Sequence, residues 1–414
     1  MSTRASWPPP PGLRPFVGWL RSRFSWGDQV ARGADRTSPL VTSGGDGVTG
    51  GDSRGDPAGG RLRPGAARVV VAAAIGVLVA LLGVWSMPRV PSLSTQMTGD
   101  RDLAAKSRPY LGGALDVVSI ATVNGATINY AGFGADETAV YEIGSITKTF
   151  TSALLADAIS RGEVTADTRL GDLLPVGGAP VADVTLAELA SHRSGLPRVG
   201  TRPTIRENLL LLTHRTAYTQ NLDGLLGVAR SARLINRGRS MYSDLGFALL
   251  GEGLASAAHT DYPRLLHQRL LGPLGMTSTT VPIAGSDLPS DASAGYGPDS
   301  QRHKAWAMHA WAPAGGIRST PADMAKYATA LLNGSAPGMD TLTPRWDEGN
   351  GAQVGYAWHT EQLEGKTVTY HGGATGGFCA AIALDRANHQ AVIVLSNTKV
   401  PVENAALTLL VGMS

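Results

Sequence analysis

Strand-like runs stand near both ends of residues 108–414, and helical patterns fill the stretch between them. The first two runs, 117–123 and 126–131, flank Asn124-Gly125, which is a favoured turn for a two-residue β-hairpin. The remaining runs lie at 354–360, 367–371, 378–384 and 391–396. This order predicts an α+β fold in which both ends of the region contribute strands to one antiparallel sheet and helices pack against it.

Three local signals mark helices in this region. Thr185-Leu186-Ala187-Glu188 has the form of a capping box, in which the outer two side chains bond to each other's backbone N–H groups. Thr320 precedes Pro321, and a cap residue followed by proline predicts the start of a helix, here through residue 332. The apolar stretch 402–411 is also predicted to be helical.

Residues 69–87 contain no charged side chain. As a helix this run would be about 28 Å long, close to the hydrocarbon thickness of a bilayer, which predicts a transmembrane helix. Arg61, Arg63 and Arg68 precede the run and only Arg89 follows closely, so the positive-inside rule places the N-terminus in the cytoplasm and the C-terminal part outside it. A cleaved signal peptide is the alternative, although the leader would be unusually long and no clean small-x-small site follows.

The charge distribution separates an N-terminal arm from the rest of the chain. The net charge is +3 and the pI is near 9.0, but residues 1–68 hold ten Arg and five Asp, so residues 88–414 carry a net charge of −2. The basic excess therefore gives no support for a nucleic-acid partner. The Arg/Pro/Gly-rich arm, 1–68, is predicted to be disordered and cytoplasmic, and 88–107 to be a linker to a domain at 108–414.

A serine and a lysine three residues apart suggest nucleophilic chemistry. A serine hydroxyl is a weak nucleophile until a nearby base takes its proton, and in the predicted helix Lys148 lies one turn beyond Ser145 on the same face. The helical pattern continues to Gly162, a typical C-terminal stop. The same spacing recurs in 396–399, but it follows a β-branched run that predicts a strand, where residues three apart do not share a face.

Two further motifs, Tyr242-Ser243-Asp244 and His371-Gly372-Gly373, follow in order. Together with Ser145 and Lys148, they resemble the signatures of the serine β-lactamase and penicillin-binding-protein superfamily, nearest to its class C β-lactamase, D-aminopeptidase and esterase-like branch. Three shorter segments strengthen the resemblance: 191–197, 271–276 and 313–320. It implies a β-lactamase/transpeptidase-like fold, with a five-stranded antiparallel sheet flanked by helices, an all-helical lobe beside it, and the site where they meet.

The resemblance also implies a role for each motif residue. Ser145 is the expected nucleophile, and Lys148 lowers the barrier to its deprotonation. Tyr242 is expected to accept the serine proton and later to help activate water, for which the nearby ammonium of Lys148 would have to lower the pKa of the phenol.

The third motif is expected to lie on an edge strand beside the serine, with His371 at its first position. The resemblance implies that the backbone N–H groups of Ser145 and Ala374 form the oxyanion hole. Gly372 and Gly373 are expected to let the substrate approach the strand closely.

Two residues depart from the best-known family pattern. Asp244 stands where the family usually has Asn, and a carboxylate can only accept hydrogen bonds. His371 stands where many relatives have Lys, which removes a fixed positive charge. Both changes predict a substrate whose recognition does not depend on a free carboxylate: an ester, an amide or a D-amino-acid peptide.

No cofactor and no metal site is predicted. His303 and His309 are flanked by Trp306 and Trp311, with no carboxylate at ligand spacing, and no Gly-rich phosphate loop follows a strand.

The combined prediction is a membrane-anchored, single-pass serine hydrolase with its catalytic domain outside the cytoplasm. It would act through an acyl-enzyme on Ser145, with a small molecule or peptide as its partner. The alternative is a catalytically weak, penicillin-binding-like sensor that keeps the fold and binds without turnover. Asp244 is the main argument for the sensor, and retention of Ser145, Lys148, Tyr242 and His371 is the argument against it.

Overall fold

The computed structural model describes residues 76–77, 90–200, 209–210, 212–349 and 351–413. The chain divides into two compact units, Met1–Met87 and Pro88–Ser414. In the first unit only Gly76 and Val77 are described, and both are helical.

A nine-stranded antiparallel sheet forms the centre of the second unit. The strands of the described residues are β1 (Met97–Gly99), β2 (Val118–Asn124), β3 (Thr127–Phe133), β4 (Tyr141–Glu142), β5 (Gly295–Tyr296), β6 (Arg302–His303), β7 (Arg318–Ser319), β8 (Trp346–Gly349), β9 (Ala352–Val354), β10 (His359–Leu363), β11 (Lys366–Ala374), β12 (Cys379–Asp385) and β13 (Gln390–Ser396). The order in the large sheet is β1-β3-β2-β13-β12-β11-β10-β9-β8, while β4 pairs with β7 and β5 with β6 in two small ribbons.

Helices cover the sheet and fill the long stretch between β4 and β8. The α-helices of the described residues are α1 (Arg101–Ser107), α2 (Thr147–Ser160), α3 (Leu170–Leu173), α4 (Leu186–Ala190), α5 (Leu222–Ser231), α6 (Asp244–Ala257), α7 (Tyr262–Leu266), α8 (Ala312–Gly315), α9 (Pro321–Leu332) and α10 (Glu403–Val411). Short 3-10 turns lie at Arg108–Tyr110, Gly144–Ile146, Pro180–Asp183, Gly285–Asp287, His309–Trp311 and Met339–Leu342, and a π-helical turn at His267–Leu271.

The α+β architecture is confirmed, but the expected count of five strands is wrong. Five of the six predicted runs become the middle of the sheet, and shorter strands extend it at both edges. At one edge β1 pairs with β3, and at the other β10, β9 and β8 continue from β11. Strands of three to five residues with mixed polarity are too short to show the alternation on which a sequence prediction depends.

The segment predicted as a linker, 88–107, contributes to the folded unit. Within it, β1 joins the sheet, and α1 begins at a cap where Asp100 accepts hydrogen bonds from the N–H groups of Asp102 and Leu103. The low hydrophobicity of this segment gave no sign of a strand or a helix in the sequence. The strand is stabilised by pairing with β3, and the helix by packing against it.

The predicted transmembrane helix is not among the helices of the described residues. Among the described residues, no helix combines the length and the apolar character needed to cross a bilayer. The run 69–87 itself lies outside the described residues except at Gly76 and Val77. The predicted disordered arm, 1–68, also lies outside them, and the extracytoplasmic location stays a prediction.

Several local signals are confirmed and two are displaced. Thr185 and Glu188 form the predicted capping box, and Thr320 caps α9. The hairpin between β2 and β3 forms with Gly125 in its turn, although Asn124 pairs with Thr127 and so belongs to the strand. The predicted strand 354–360 is broken by a turn in which Ala357 has a φ of +69°.

Helix α2 is deeply buried in the second unit and begins at Thr147, two residues after Ser145. All of its residues from Thr147 to Ala158 are buried, so it is enclosed on every side and has no polar face. Phe150 stacks on Tyr327 of α9 with ring centroids 4.1 Å apart. The serine is therefore held by one of the most enclosed elements of the fold.

A buried ion pair joins β4 to β7 beside this helix. Arg318 donates to Glu142 over 3.1 Å, and each side chain is 3% exposed. The backbone N–H of Trp306 also donates to Glu142, over 2.7 Å. Burial raises the pKa of Glu142, and the positive charge of Arg318 opposes that rise.

We expect Glu142→Ala to lower the free energy of unfolding by about 3–5 kcal/mol, because it leaves Arg318 as an unpaired buried charge. The matched control is Asp183→Ala, which removes the partner of Arg169 in a pair whose side chains are 63% and 67% exposed, with an expected loss below about 1 kcal/mol. Urea unfolding of the wild type and both variants measures the difference. Equal losses in the two variants would contradict a structural role for the buried pair.

Candidate active site

The turn that carries Ser145 is fixed against strand β11. Gly144 has a φ of +50°, and a Cβ at this position would lie 2.6 Å from the backbone nitrogen of Ala374. Only glycine combines that conformation with so close an approach. Ser145 follows at once, 5% exposed, and leads into α2.

Lys148 is completely buried one turn further along. Its Nζ donates to Ser145 Oγ over 3.2 Å, to Asp244 Oδ1 over 2.7 Å and to the carbonyl oxygen of Ala314 over 2.7 Å. Burial alone would lower the pKa of Lys148, but Asp244 and Tyr242 more than offset it, so the pKa lies above its ordinary value. The lysine is therefore an ammonium ion in the resting site.

Tyr242 lies on the other side of the nucleophile. Its hydroxyl donates to Ser145 Oγ over 2.5 Å, and the ammonium of Lys148 lies 4.8 Å from its ring centroid. Burial raises the pKa of Tyr242, and the charge of Lys148 opposes this without reversing it. The expectation that Lys148 brings the phenol below its ordinary pKa is therefore wrong for the resting site, because burial is the larger effect.

Asp244 begins helix α6, where the helix dipole favours a negative charge. Its Oδ1 accepts from Lys148, and its Oδ2 lies 3.4 Å both from Arg198 Nε and from the hydroxyl of Tyr218. The carboxylate is thus held by two cations and a phenol.

Arg198 and Tyr218 are site residues that no sequence motif predicted. Arg198 follows directly after the family-like segment 191–197, which was a usable signal. Tyr218 lies in no motif.

His371 lies on β11 opposite Ile382, and its side chain is buried. Its Nδ1 donates to the carbonyl oxygen of Gly372 over 2.6 Å, while its Nε2 is buried and has no hydrogen-bond partner among the described residues. Burial, followed by the charges of His359 and Lys148, holds the pKa of His371 well below its ordinary value. A neutral imidazole therefore faces the site at neutral pH.

The two glycines of this motif make room for neighbouring parts of the protein, and the close approach of substrate to them stays a prediction. A Cβ on Gly372 would lie 2.4 Å from Glu403 Oε1 on α10. A Cβ on Gly373 would lie 2.0 Å from the carbonyl oxygen of Ile143 and 3.0 Å from the nitrogen of Ser145. Gly373 therefore lets β11 approach the turn that carries the nucleophile.

His192 is a further residue to which the sequence assigned no role. Its Nδ1 accepts the N–H of Ser243 over 3.0 Å, and its ring lies 4.4 Å from that of Tyr242 and 4.8 Å from that of Phe247. It fixes the second motif by holding the backbone beside Tyr242. Its place in the segment 191–197 was the available signal.

One group of metal-ligand side chains occurs among the described residues: His214, Asp299 and His303. The expectation that no carboxylate stands at ligand spacing from His303 is wrong, because Asp299 lies four residues before it and its Oδ1 is 3.9 Å from His303 Nε2.

The family model of the β-lactamases matches residues 104–411. Among curated proteins, the D-alanyl-D-alanine-carboxypeptidase/endopeptidase AmpH of Escherichia coli strain K12 is 28% identical over 210 residues, covering 47% of this chain and 49% of its own. A D-aminopeptidase of Cereibacter sphaeroides is 28% identical over 276 residues, covering 64% and 52%. The chain therefore matches about half the length of these relatives.

Solved structures show the same fold. A class C β-lactamase superposes with a TM-score of 0.63 at 18% identity, covering 76% of this chain and 94% of its own. The D-alanine carboxypeptidase AmpC from Burkholderia cenocepacia gives a TM-score of 0.62 at 24% identity, covering 76% and 97%.

We expect His371→Gln to flatten the pH dependence of stability between about pH 6.5 and 5. The unfolded chain takes up a proton at this histidine over a range in which the folded site keeps it neutral. The free energy of unfolding therefore falls as the pH falls below about 6.5, by up to about 1.4 kcal/mol per pH unit for this group. Urea unfolding at several pH values measures the slope, and the exposed His267→Gln serves as the control. Identical slopes in wild type and His371→Gln would show that the imidazole is not held neutral.

Proposed function

Because this chain belongs to the β-lactamase family, we propose that it is a serine hydrolase that forms an acyl-enzyme on Ser145 with an amide or ester substrate. One observation carries the proposal: Ser145 Oγ lies within hydrogen-bond distance of both Tyr242 OH and Lys148 Nζ, at 2.5 and 3.2 Å. A serine, a phenol and an ammonium in contact inside a buried site provide the elements of nucleophilic and general acid–base catalysis.

In the proposed reaction, Tyr242 first loses its proton to solvent, and Ser145 Oγ then attacks the carbonyl carbon and gives its proton to the Tyr242 phenolate. Tyr242 returns that proton to the departing amine or alcohol as the bond to the carbonyl carbon breaks. Water then attacks the resulting ester on Ser145 and releases the acid. Lys148 stabilises the Tyr242 phenolate of this reactive form, because its ammonium lies against that ring.

The developing oxyanion is proposed to lie between the N–H groups of Ser145 and Ala374. Close packing at Gly144 and Gly373 supports this assignment, since both glycines let the serine turn and β11 approach each other. Backbone donors fixed in this way need little rearrangement when negative charge develops.

The proposed substrate class is an ester, an amide or a D-amino-acid peptide that is recognised without a free carboxylate. The neutral, buried His371 supports this, because it puts no cation at the start of the third motif. Asp244 does not simply repel an anionic substrate, since Lys148 and Arg198 both pair with its carboxylate. Its effect is to engage two cations that would otherwise attract an anionic substrate.

A binding or sensing role is the second candidate, and it too rests on a specific observation. In the resting site Lys148 is protonated and Tyr242 is a neutral phenol that donates to Ser145. Neither group can accept the serine proton until it loses its own. That arrangement favours slow turnover and a persistent acylated or bound state.

The first experiment compares hydrolysis of an activated phenyl ester by the full chain and by Ser145→Ala. We expect the alanine variant to lose roughly 10³-fold or more in kcat/KM, because no other group can form the acyl-enzyme. The control is Ser160→Ala, an exposed serine at the end of the same helix. If wild type and Ser145→Ala are equally inert, the sensing role becomes the better account.

A second experiment tests the substrate class with Asp244→Asn. Loss of the carboxylate releases the charges of Lys148 and Arg198, so hydrolysis of an anionic cephalosporin should rise by about tenfold or more relative to that of a neutral ester. The control is Asp223→Asn in the first turn of α5. Efficient cephalosporin hydrolysis by the wild type would contradict the proposed class.

A further inference from the structure

Three side chains from two parts of the chain meet outside the catalytic centre. His214 follows the short helical segment that includes residues 209–210, and Asp299 and His303 belong to the hairpin formed by β5 and β6. The three are called the His-Asp-His cluster below. Their side chains are 31%, 51% and 17% exposed in chain order, so the cluster lies at the surface and is open to solvent.

The separations within the His-Asp-His cluster match those of ligands on one ion. Two nitrogens bound to a tetrahedral Zn²⁺ at about 2.0–2.1 Å lie about 3.3–3.4 Å apart. His214 Nδ1 and His303 Nε2 are 3.3 Å apart. Asp299 Oδ2 is 3.6 Å from the first nitrogen and Oδ1 is 3.9 Å from the second, so a small rotation of the carboxylate completes the set.

We propose that His214, Asp299 and His303 bind a divalent transition-metal ion, with Zn²⁺ as the best match. Two imidazoles and one carboxylate form a donor set typical of zinc, whereas Ca²⁺ and Mg²⁺ prefer oxygen ligands. The exposure of Asp299 leaves a coordination position open to water.

The hairpin keeps space free beside the ligand atoms. A Cβ on Gly297 would lie 2.3 Å from His303 Nε2 and 2.8 Å from Asp299 Oδ1. The N–H of Gln301 donates to Asp299 Oδ1 over 3.0 Å and orients the carboxylate. Ser300, with a φ of +62°, closes the turn that brings Asp299 back towards His303.

A backbone hydrogen bond holds the segment of His214 beside the hairpin of Asp299 and His303. The N–H of Lys304 donates to the carbonyl oxygen of His214 over 3.1 Å, which aligns the residue after His303 with its partner ligand. The other ring nitrogen of His303, Nδ1, lies beside Gly376, two residues after the end of β11. A Cβ on Gly376 would lie 2.7 Å from it. The ring is thus fixed with Nε2 directed into the cluster.

An ion at this position would connect the cluster to the catalytic site. Four residues after His214, the Tyr218 hydroxyl lies 3.4 Å from Asp244 Oδ2. Three residues after His303, the ring centroid of Trp306 lies 5.7 Å from that of Tyr218, and the backbone N–H of Trp306 donates to Glu142. Metal binding would therefore tie together two segments that hold Tyr218 in place.

The test uses the full chain after treatment with a chelator and its removal. Zn²⁺ is added during calorimetric titration, and Co²⁺ is added while visible absorption is recorded, because tetrahedral Co²⁺ gives a distinctive spectrum. We expect one ion per chain, a tetrahedral Co²⁺ spectrum and a rise in Tm with Zn²⁺ concentration. His303→Gln and Asp299→Asn should each weaken Zn²⁺ binding by about tenfold or more.

The matched control is His267→Gln, an exposed histidine outside the cluster, which should bind Zn²⁺ as the wild type does. Ser145→Ala should also bind normally, so the result does not depend on whether the chain is a hydrolase. If His303→Gln fails to fold, Asp299→Asn, an exposed position, still decides. No saturable binding by the wild type, or equal binding by the cluster variants, would overturn the proposal and leave only a hydrogen bond between the two histidines.

Discussion

The site depends on the hydrogen bonds that the buried ammonium of Lys148 makes. A buried cation is strongly unfavourable unless its donors are all used, and here Nζ bonds to Ser145, Asp244 and Ala314. These three acceptors come from the turn before α2, the start of α6 and the short helix α8. One side chain therefore holds three elements in a fixed relation, and the requirement to satisfy its charge sets the positions of the groups around the nucleophile.

The same requirement explains which side chains of the resting site are protonated. Asp244 keeps the lysine charged, and burial keeps Tyr242 neutral. His192 and His371 are buried and neutral on either side, with their pKa values well below the ordinary one, chiefly because of burial. The groups around the site thus resist gaining or losing a proton. The main charged groups buried there are Lys148 and Asp244, which form an ion pair.

Local signals predicted much of the fold and the identity of the motif residues, because caps, turns and apolar periodicity depend on neighbours in sequence. The family is confirmed, and Ser145, Lys148, Tyr242 and Asp244 come together in space. What the sequence could not supply depends on tertiary packing. Arg198 and Tyr218 reach Asp244 only after folding, and the carboxylate of Asp299 meets His214 across a long stretch of chain. The short outer strands lack a pattern of their own.

The pairing of β1 with β3 has a consequence for how this protein can be shortened. Met97–Gly99 covers the outer side of β3, and α1 packs over the same strand. A version that started at residue 108 would keep every motif residue but would leave the N–H and C=O groups of β3 without their neighbour. Exposed strand edges of this kind recruit other chains and promote aggregation. Residues 97–107 thus cover one edge of the sheet and keep it from pairing with another copy.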